Sequence, residues 1–312
     1  MDIGGYLGLE EFMGKEYYPD LIALNTGRNA LACLIHAKHI RKLYIPNYLC
    51  DSVFRVCERE ECPYEFYEVG ADFLPKFEKA LGNGEWIYIV NYFGQILNER
   101  ELKKKYDRII FDNAQAFFQE PVEGISTIYS CRKFFGVPDG AYLAAEDVPE
   151  LDVDISKHRM AHILGRYEGM ASDYYKDFRD NDKSFSNLAP GFMSRLTHNI
   201  LRAIDYKKVK ERREENFLSL HGQLKGANRL NIQPPAGPYM YPFYTKNIFR
   251  THKGHFIWRR GWKLKRSWQQ RGYTYRRYGP MQSNLVGWLK TTVKIYFPCH
   301  ATRGTHSWKC GL

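Results

Sequence analysis

Between Leu21 and Glu146, short apolar runs alternate with stretches whose apolar residues recur at helical spacing, and no other feature narrows the possible folds of this chain as far. LIALN, Leu21 to Asn25, passes through Thr26 and Gly27 into GRNALACLIHA, whose apolar residues fall three and four apart. KLYIP is a second run, and YLCDSVFRVCERE after it reads as a helix that Asp51 caps near its start. YEFYEV and WIYIVNYFG follow, the latter apolar enough for a strand covered on both faces. After ERELKKKY, a charged helix whose Glu and Lys read as a solvated face, RIIFD, STIYS and AYLAAE supply three more strands. The alternation predicts an α/β fold with a mostly parallel sheet flanked by helices and right-handed crossovers. Ligands of such sheets gather at the carboxyl ends of the strands.

Thr26, Asp112 and Ser130 all stand at predicted strand ends. The turn at Gly27 feeds a helix N-terminus, whose free amides suit a phosphate, although an ordinary strand-to-helix connection has the same form. Asp112 closes the apolar run of RIIFDNAQAF, and Lys133 lies just beyond the next strand in YSCRKFFGVPDGAYL, Tyr129 to Leu143. An aspartate and a lysine in those two places are what pyridoxal phosphate chemistry requires. The amine holds the cofactor covalently, and the carboxylate keeps a proton on the pyridine nitrogen. Taken singly, each has a plainer meaning: a solvated surface lysine and a turn-forming aspartate.

Residues 151 to 245 turn helical and polar. ISKHRMAHILGRYEG reads as one helix and LTHNILRAIDYKKVKERREENFLSLHGQL as a second, long one, with DFRDNDKSFSNLAPG as a loop between them and PPAGPYMYPF as a linker into a further strand. His158, His162 and His198 have no partner at metal-ligand spacing and read as packing or surface residues. The seven cysteines are odd in number and scattered, which predicts reduced thiols and no metal site. No run of eighteen apolar residues occurs, and the start, MDIGGYLGLEEF, has neither a basic leader nor an apolar signal core. A soluble, cytoplasmic protein with no membrane partner is expected.

In order, TGRNAL, KLYIPNY, VNYFGQ, FDNAQAF and SCRKFFGVPDGAYL resemble the large domain of the DegT-type (DegT/DnrJ/StrS) aminotransferases, pyridoxal phosphate enzymes of fold type I that aminate nucleotide-linked keto sugars. The resemblance covers roughly residues 20 to 245. It implies a pyridoxal phosphate-binding large domain over residues 1–150 and a helical segment over 151–245 leading into a small domain. It implies a homodimer, a nucleotide-sugar substrate and an amino-acid donor, glutamate in the usual case. Carried over by position, Lys133 would bind the cofactor and shuttle a proton, Asp112 would face the pyridine nitrogen, and Gln115 would lie near the phenolic oxygen. Gly27, Arg28 and Ser130 would hold the phosphate. Two positions depart from the family. The ring usually stacked on the cofactor falls at Cys50, leaving Tyr48 as the substitute, and Ser130 stands three residues before the lysine where the family has its serine five before.

Residues 246–312 do not resemble the family. All 35 acidic residues lie in the first 215 positions, while the remainder holds 17 of the 46 Lys and Arg and no Asp or Glu. The net charge of +11 therefore sits at one end. Stretches such as WRRGWKLKRSWQQRGYTYRRYG suit a nucleic-acid surface, with arginines for phosphates and rings for base stacking. A folded surface without a single acid is rare, however, and a shift of one base accounts for it. Regrouping the codons of SWQQRGYTYRRYGPM permits LATKGIYIPTLWPN, and the same offset turns KIYFPCHATRGT into NIFPLPCDQRY, both in the manner of the family's missing C-terminal domain. A frame slip near residue 245 then predicts a poorly ordered tail, an incomplete small domain and impaired turnover. Nucleic-acid binding is the alternative function. A relative that holds the cofactor without turning substrate over is a third.

Overall fold

The computed structural model describes residues 5–146 and 148–244, together with the backbone of four short strands further on, Ile248–Arg250, Phe256–Trp258, Thr274–Arg276 and Val293–Tyr296. The apolar runs of the first half form β1 (Ile22–Leu24), β2 (Lys42–Pro46), β3 (Tyr64–Val69), β5 (Glu85–Val90), β6 (Ile109–Asp112), β7 (Ser126–Ser130) and β8 (Ala141–Ala144), with a two-residue β4 (Pro75–Lys76). They make one eight-stranded sheet in the order β1-β8-β7-β6-β5-β2-β3-β4. The five strands from β7 to β3 run parallel, β8 pairs antiparallel with both β7 and β1, and β4 closes the far edge antiparallel to β3. The expected mostly parallel α/β sheet is therefore present.

Its centre is buried on both faces, as the unbroken apolar runs require. Leu43, Ile45, Ile87, Ile89, Ile110 and Phe111 are all shielded from solvent within one core. The helix α1 (Gly27–Ala37) packs on β7 and β8 and against α2 (Asp51–Arg59), so its residues from Asn29 to Ile35 are buried. A second core is mostly aromatic, with Tyr18, Phe117, Phe118, Tyr129, Phe134 and Tyr142 in edge-on and tilted contacts. Such rings contribute most of the burial available to a small cluster.

Beyond the sheet the structure departs from the sequence expectations in four places. Asp51 does not cap α2; Cys50 occupies the cap position without a side-chain bond, and Asp51 pairs one turn on with Arg55 at 2.9 Å. The helix α3 (Glu99–Lys105) is not solvated throughout, because Glu99 is only 2% exposed. The stretch from Ile155 begins with a 3-10 turn, Lys157–Arg159, before α4 (Ala161–Glu168), and the expected loop contains a further helix, α5 (Tyr175–Ser184). The long helix is two, α6 (Arg195–Arg202) and α7 (Tyr206–Leu224). Ser194 Oγ caps the first by accepting from Thr197 N at 3.2 Å, and Asp205 Oδ1 restarts the second by accepting from Lys208 N at 3.0 Å. An aspartate that caps a new helix competes with continuing the old one.

The expected further strand is β9 (Met240–Phe243). Of the four strands beyond it, β10 (Ile248–Arg250) pairs with β11 (Phe256–Trp258), and β12 (Thr274–Arg276) and β13 (Val293–Tyr296) join β9 in a three-stranded antiparallel sheet. The frame-slip and nucleic-acid expectations for residues 246–312 otherwise lie outside the described residues. No helix among the described residues is long and apolar enough to cross a membrane.

Candidate functional site

The carboxyl edge of the sheet collects its chemistry because β1, β6 and β7 all end there and the antiparallel β8 begins there. A cavity of about 970 Å³ opens above it. The N-terminal turns of α1 and α2, Asp112, Ser130 and Lys133 form its inner wall, and α4 and α5 its outer one.

Asp112 is the last residue of β6 and is buried. Its carboxylate is fixed at both oxygens: Tyr88 donates its hydroxyl to Oδ2 at 2.9 Å, and the Ala114 amide donates to Oδ1 at 2.8 Å. Lys133 ends the 3-10 turn Cys131–Lys133 that follows β7. Buried Cys131 anchors that turn, its amide donating to the Gly140 carbonyl at 3.1 Å and its carbonyl accepting from Phe134 and Phe135. With Cys131 and Phe134 facing the core, Lys133 is left exposed on the cavity wall, its Nζ 6.0 Å from the centre of the Tyr239 ring. From below, buried Arg213 of α7 donates to the Phe134 carbonyl at 3.1 Å and to the Pro238 carbonyl at 3.1 Å, tying the lysine turn to the approach to β9.

Thr26 caps α1 by accepting from the Asn29 amide at 3.1 Å. Helix geometry leaves the amides of Gly27 and Arg28 without an intrahelical acceptor, and both residues line the cavity. Ser130 joins them there. The wall carries six Lys and Arg (Arg28, Arg132, Lys133, Arg166, Arg179, Lys183) against Asp51, Asp112 and Asp182, which suits an anionic ligand. Burial pushes the Arg132 guanidinium down to about 10, opposed by Asp182 and reinforced by the neighbouring Arg28.

Gly27, Arg28, Asp112, Ser130 and Lys133 are thus brought together. Gln115 and Tyr48 are not among the residues that line the cavity. Gln115 turns its Oε1 to accept from the amide of Phe93 at 3.3 Å, where Phe93 has φ +58°. The Tyr48 ring packs on Tyr92 at 5.3 Å. Cys50 does reach the wall, with Sγ 2.7 Å from Ser52 Oγ. Of the histidines read as packing or surface residues, His162 lines the cavity beside Phe178, and burial pushes its imidazole below the usual range. His198 holds Glu16 at 2.7 Å, and His158 is exposed. Tyr88, Arg132 and Asp182 are among the wall residues that sequence reasoning missed, as are Arg166, Arg179 and Lys183. Arg132 and Lys133 differ by one position, yet only the spacing of the lysine from Asp112 carried a chemical signal. Among the described residues, no group of three or more His, Cys, Asp or Glu side chains is placed to hold a metal ion.

No protein-family model matches the chain, and no curated protein matches it. Among solved structures it is similar to Helicobacter pylori PseC, an aminotransferase involved in the biosynthesis of pseudoaminic acid. The two superpose with a TM-score of 0.52 at 14% identity, over 88% of this chain and 80% of the other. The aminotransferase TlmJ from Streptoalloteichus hindustanus gives a TM-score of 0.51 at 13% identity over the same shares. A DegT DnrJ EryC1 StrS aminotransferase from Brucella abortus gives 0.47 at 14% identity, over 73% of this chain and 66% of the other. The first two establish the fold, an α/β architecture with a mostly parallel sheet flanked by helices that the chain shares with these two proteins.

Proposed function

We propose that the chain is a pyridoxal phosphate-dependent aminotransferase of the DegT type, a homodimer that moves an amino group from an amino-acid donor, glutamate first, to a keto-sugar nucleotide. One observation carries this. A carboxylate fixed at a strand end and a lysine after the next strand open on the same cavity as the free end of α1.

The residues present fit the cofactor by their chemistry. A buried carboxylate suits a protonated ring nitrogen, a lysine amine suits an aldehyde carbon, and a helix N-terminus with Arg28 and Ser130 suits a phosphate. When bound there, the cofactor supplies an electron sink for negative charge developing on the substrate carbon. Asp112 holds the proton on the ring nitrogen, and Tyr88 and the Ala114 amide keep its carboxylate from turning away. Lys133 Nζ would hold the cofactor's aldehyde carbon, and its amine would serve to move a proton at the substrate carbon. The α1 amides and Arg28 would hold the phosphate, on the same cavity wall as Lys133. Cys50, where the family's stacked ring falls, lines the cavity and would offer the cofactor no aromatic face. Donor and acceptor exchange one amino group for one carbonyl oxygen, with no net oxidation.

Because residues 246–312 read as out of register, cofactor binding is the primary readout. Added pyridoxal phosphate is expected to show a shifted visible absorbance band with the wild-type protein and the unshifted band of the free cofactor with Lys133→Ala. The same shifted band in the variant would refute the assignment.

A further inference from the structure

Asp182 reaches from α5 across the cavity to two arginines of separate elements. Its Oδ1 lies 3.5 Å from Arg132 Nη1, in the lysine turn, and 3.7 Å from Arg28 Nη2, in the first turn of α1. Both arginine side chains are largely buried, at 17% and 20% exposure, while Asp182 is half exposed. Charge-assisted bonds between guanidinium and carboxylate close to about 2.7–2.9 Å and are often two-pronged. Here one oxygen is shared between two cations at longer range. The carboxylate therefore marks a place where negative charge is wanted without supplying enough of it.

Arg132 is also fixed from behind. Its guanidinium lies 4.2 Å from the centre of the buried Phe185 ring, which limits its movement and keeps its free edge on the cavity side. Burial disfavours its charge, Asp182 favours it, and the nearby Arg28 disfavours it less strongly. A tetrahedral anion offers more oxygens than one carboxylate, enough to serve both guanidiniums and the α1 amides together.

We propose that Arg28 and Arg132 form a two-arginine clamp for the dianionic phosphate of the cofactor, and that Asp182 is its built-in competitor, seated in the clamp until the phosphate displaces it. This rests on the function proposed above and adds two residues to it, one cationic beside the lysine and one acidic on α5. It also assigns a task to α5, which brings a carboxylate to a cavity otherwise rich in cations.

The test compares pyridoxal phosphate, pyridoxal and inorganic phosphate as ligands of the full chain, titrated by absorbance and by protein fluorescence. Asp182→Asn is expected to tighten pyridoxal phosphate and inorganic phosphate by about three- to tenfold and to leave pyridoxal unchanged, as befits a partly exposed charge. Arg132→Gln is expected to weaken pyridoxal phosphate by tenfold or more, again sparing pyridoxal, with Arg132→Lys between the two because it keeps the charge and loses the fork. Since Arg132 is buried, Asp182→Asn decides the matter if the arginine variant fails to fold. Unchanged or weaker phosphate affinity in Asp182→Asn, or equal effects on pyridoxal and its phosphate, would overturn the clamp. Uridine diphosphate serves as a further arm: if its binding depends on Arg132 and that of pyridoxal phosphate does not, the pair serves a nucleotide and the proposal fails. Absence of any Lys133-dependent band in the wild type would remove the functional assignment as well, whereas a normal band unmoved by either variant would remove the clamp alone.

Discussion

Replacing Glu99 by glutamine should make the folded chain more stable above neutral pH, although it removes a charge from the first turn of a helix, where a charge normally helps. Glu99 is almost wholly buried. Its Oε1 accepts from Gln119 Nε2 at 2.7 Å and from Asn113 Nδ2 at 3.2 Å, while Oε2 is buried with no hydrogen-bond partner. Burial raises the carboxyl from 4.5 to about 7, opposed by the bond from Asn113. A raised folded-state value means that the folded chain keeps its proton after the unfolded chain has lost it. The effect is absent below about pH 4.5, grows as pH rises toward 7, and levels off above. At ~1.4 kcal/mol per pH unit the full loss is about 3 kcal/mol. Glutamine keeps the accepting oxygen and places an amide where Oε2 stands, and an unsatisfied buried amide costs about 1–2 kcal/mol. The variant should therefore exceed wild type by about 1–2 kcal/mol at pH 8.5 and fall about 1 kcal/mol below it at pH 4.5. Urea unfolding of both proteins at four pH values gives the difference directly, and subtraction cancels every other titrating group. A difference that does not change with pH, or a variant clearly less stable at pH 8.5, would refute the argument. The outcome bears on the site, because Glu99, Asn91, Asn113 and Gln119 together hold the turn that follows Asp112.

Substitutions at two further positions test how the lysine turn is held. Asp139 is fully buried and accepts from Ser194 N at 3.1 Å, from Ser194 Oγ at 2.9 Å and from Thr197 Oγ1, so Asp139→Ala should lower stability by about 3 kcal/mol. Asp139→Asn should lose less; thermal unfolding checks both, and equal losses would refute the hydrogen-bonding argument. Gly140 has φ +110°, and a Cβ there would meet Thr197 Cγ2 at 3.0 Å and Cys131 and Met193 side chains at 3.3 Å. Gly140→Ala should cost about 2–4 kcal/mol and loosen pyridoxal phosphate binding, measured by unfolding and by absorbance titration; an alanine variant of wild-type stability would show that the backbone is not constrained there.

What was legible in the sequence was local. A strand end is written in a few adjacent residues, so Asp112 and Lys133 could be set at one edge of a sheet from their positions alone. Gln115 and Tyr48 were placed by counting from motifs, and counting does not give the direction of a side chain. The turn at Phe93 has a left-handed residue whose amide needs an acceptor, and Gln115 supplies it. The helix α5 was missed because YKDFRDNDKS has too few apolar residues to show a stripe; only Asn181 is buried in it. The break at Ala203–Asp205 was missed for the opposite reason, since Ile204 continues the apolar spacing and only the cap at Asp205 marks the new start.

The buried charges were illegible on principle. A glutamate in ERELKKKY is indistinguishable from its neighbours until Asn113 and Gln119, fourteen and twenty residues on, close over it. Asp139 acquires its role only when α6 arrives from 55 residues away. Asp182 becomes a partner of Arg28 and Arg132 only because α5 lies on the outer wall of the cavity. Glu99 and Asp139 are removed from water, and half-exposed Asp182 is paired, by contacts distant in sequence, which has an energetic consequence that composition cannot carry. The sheet follows from patterns within single segments, whereas the electrostatics of its site are set by which segments meet. Substitutions of these three acids therefore probe the tertiary arrangement itself, independently of the motifs from which the fold was read.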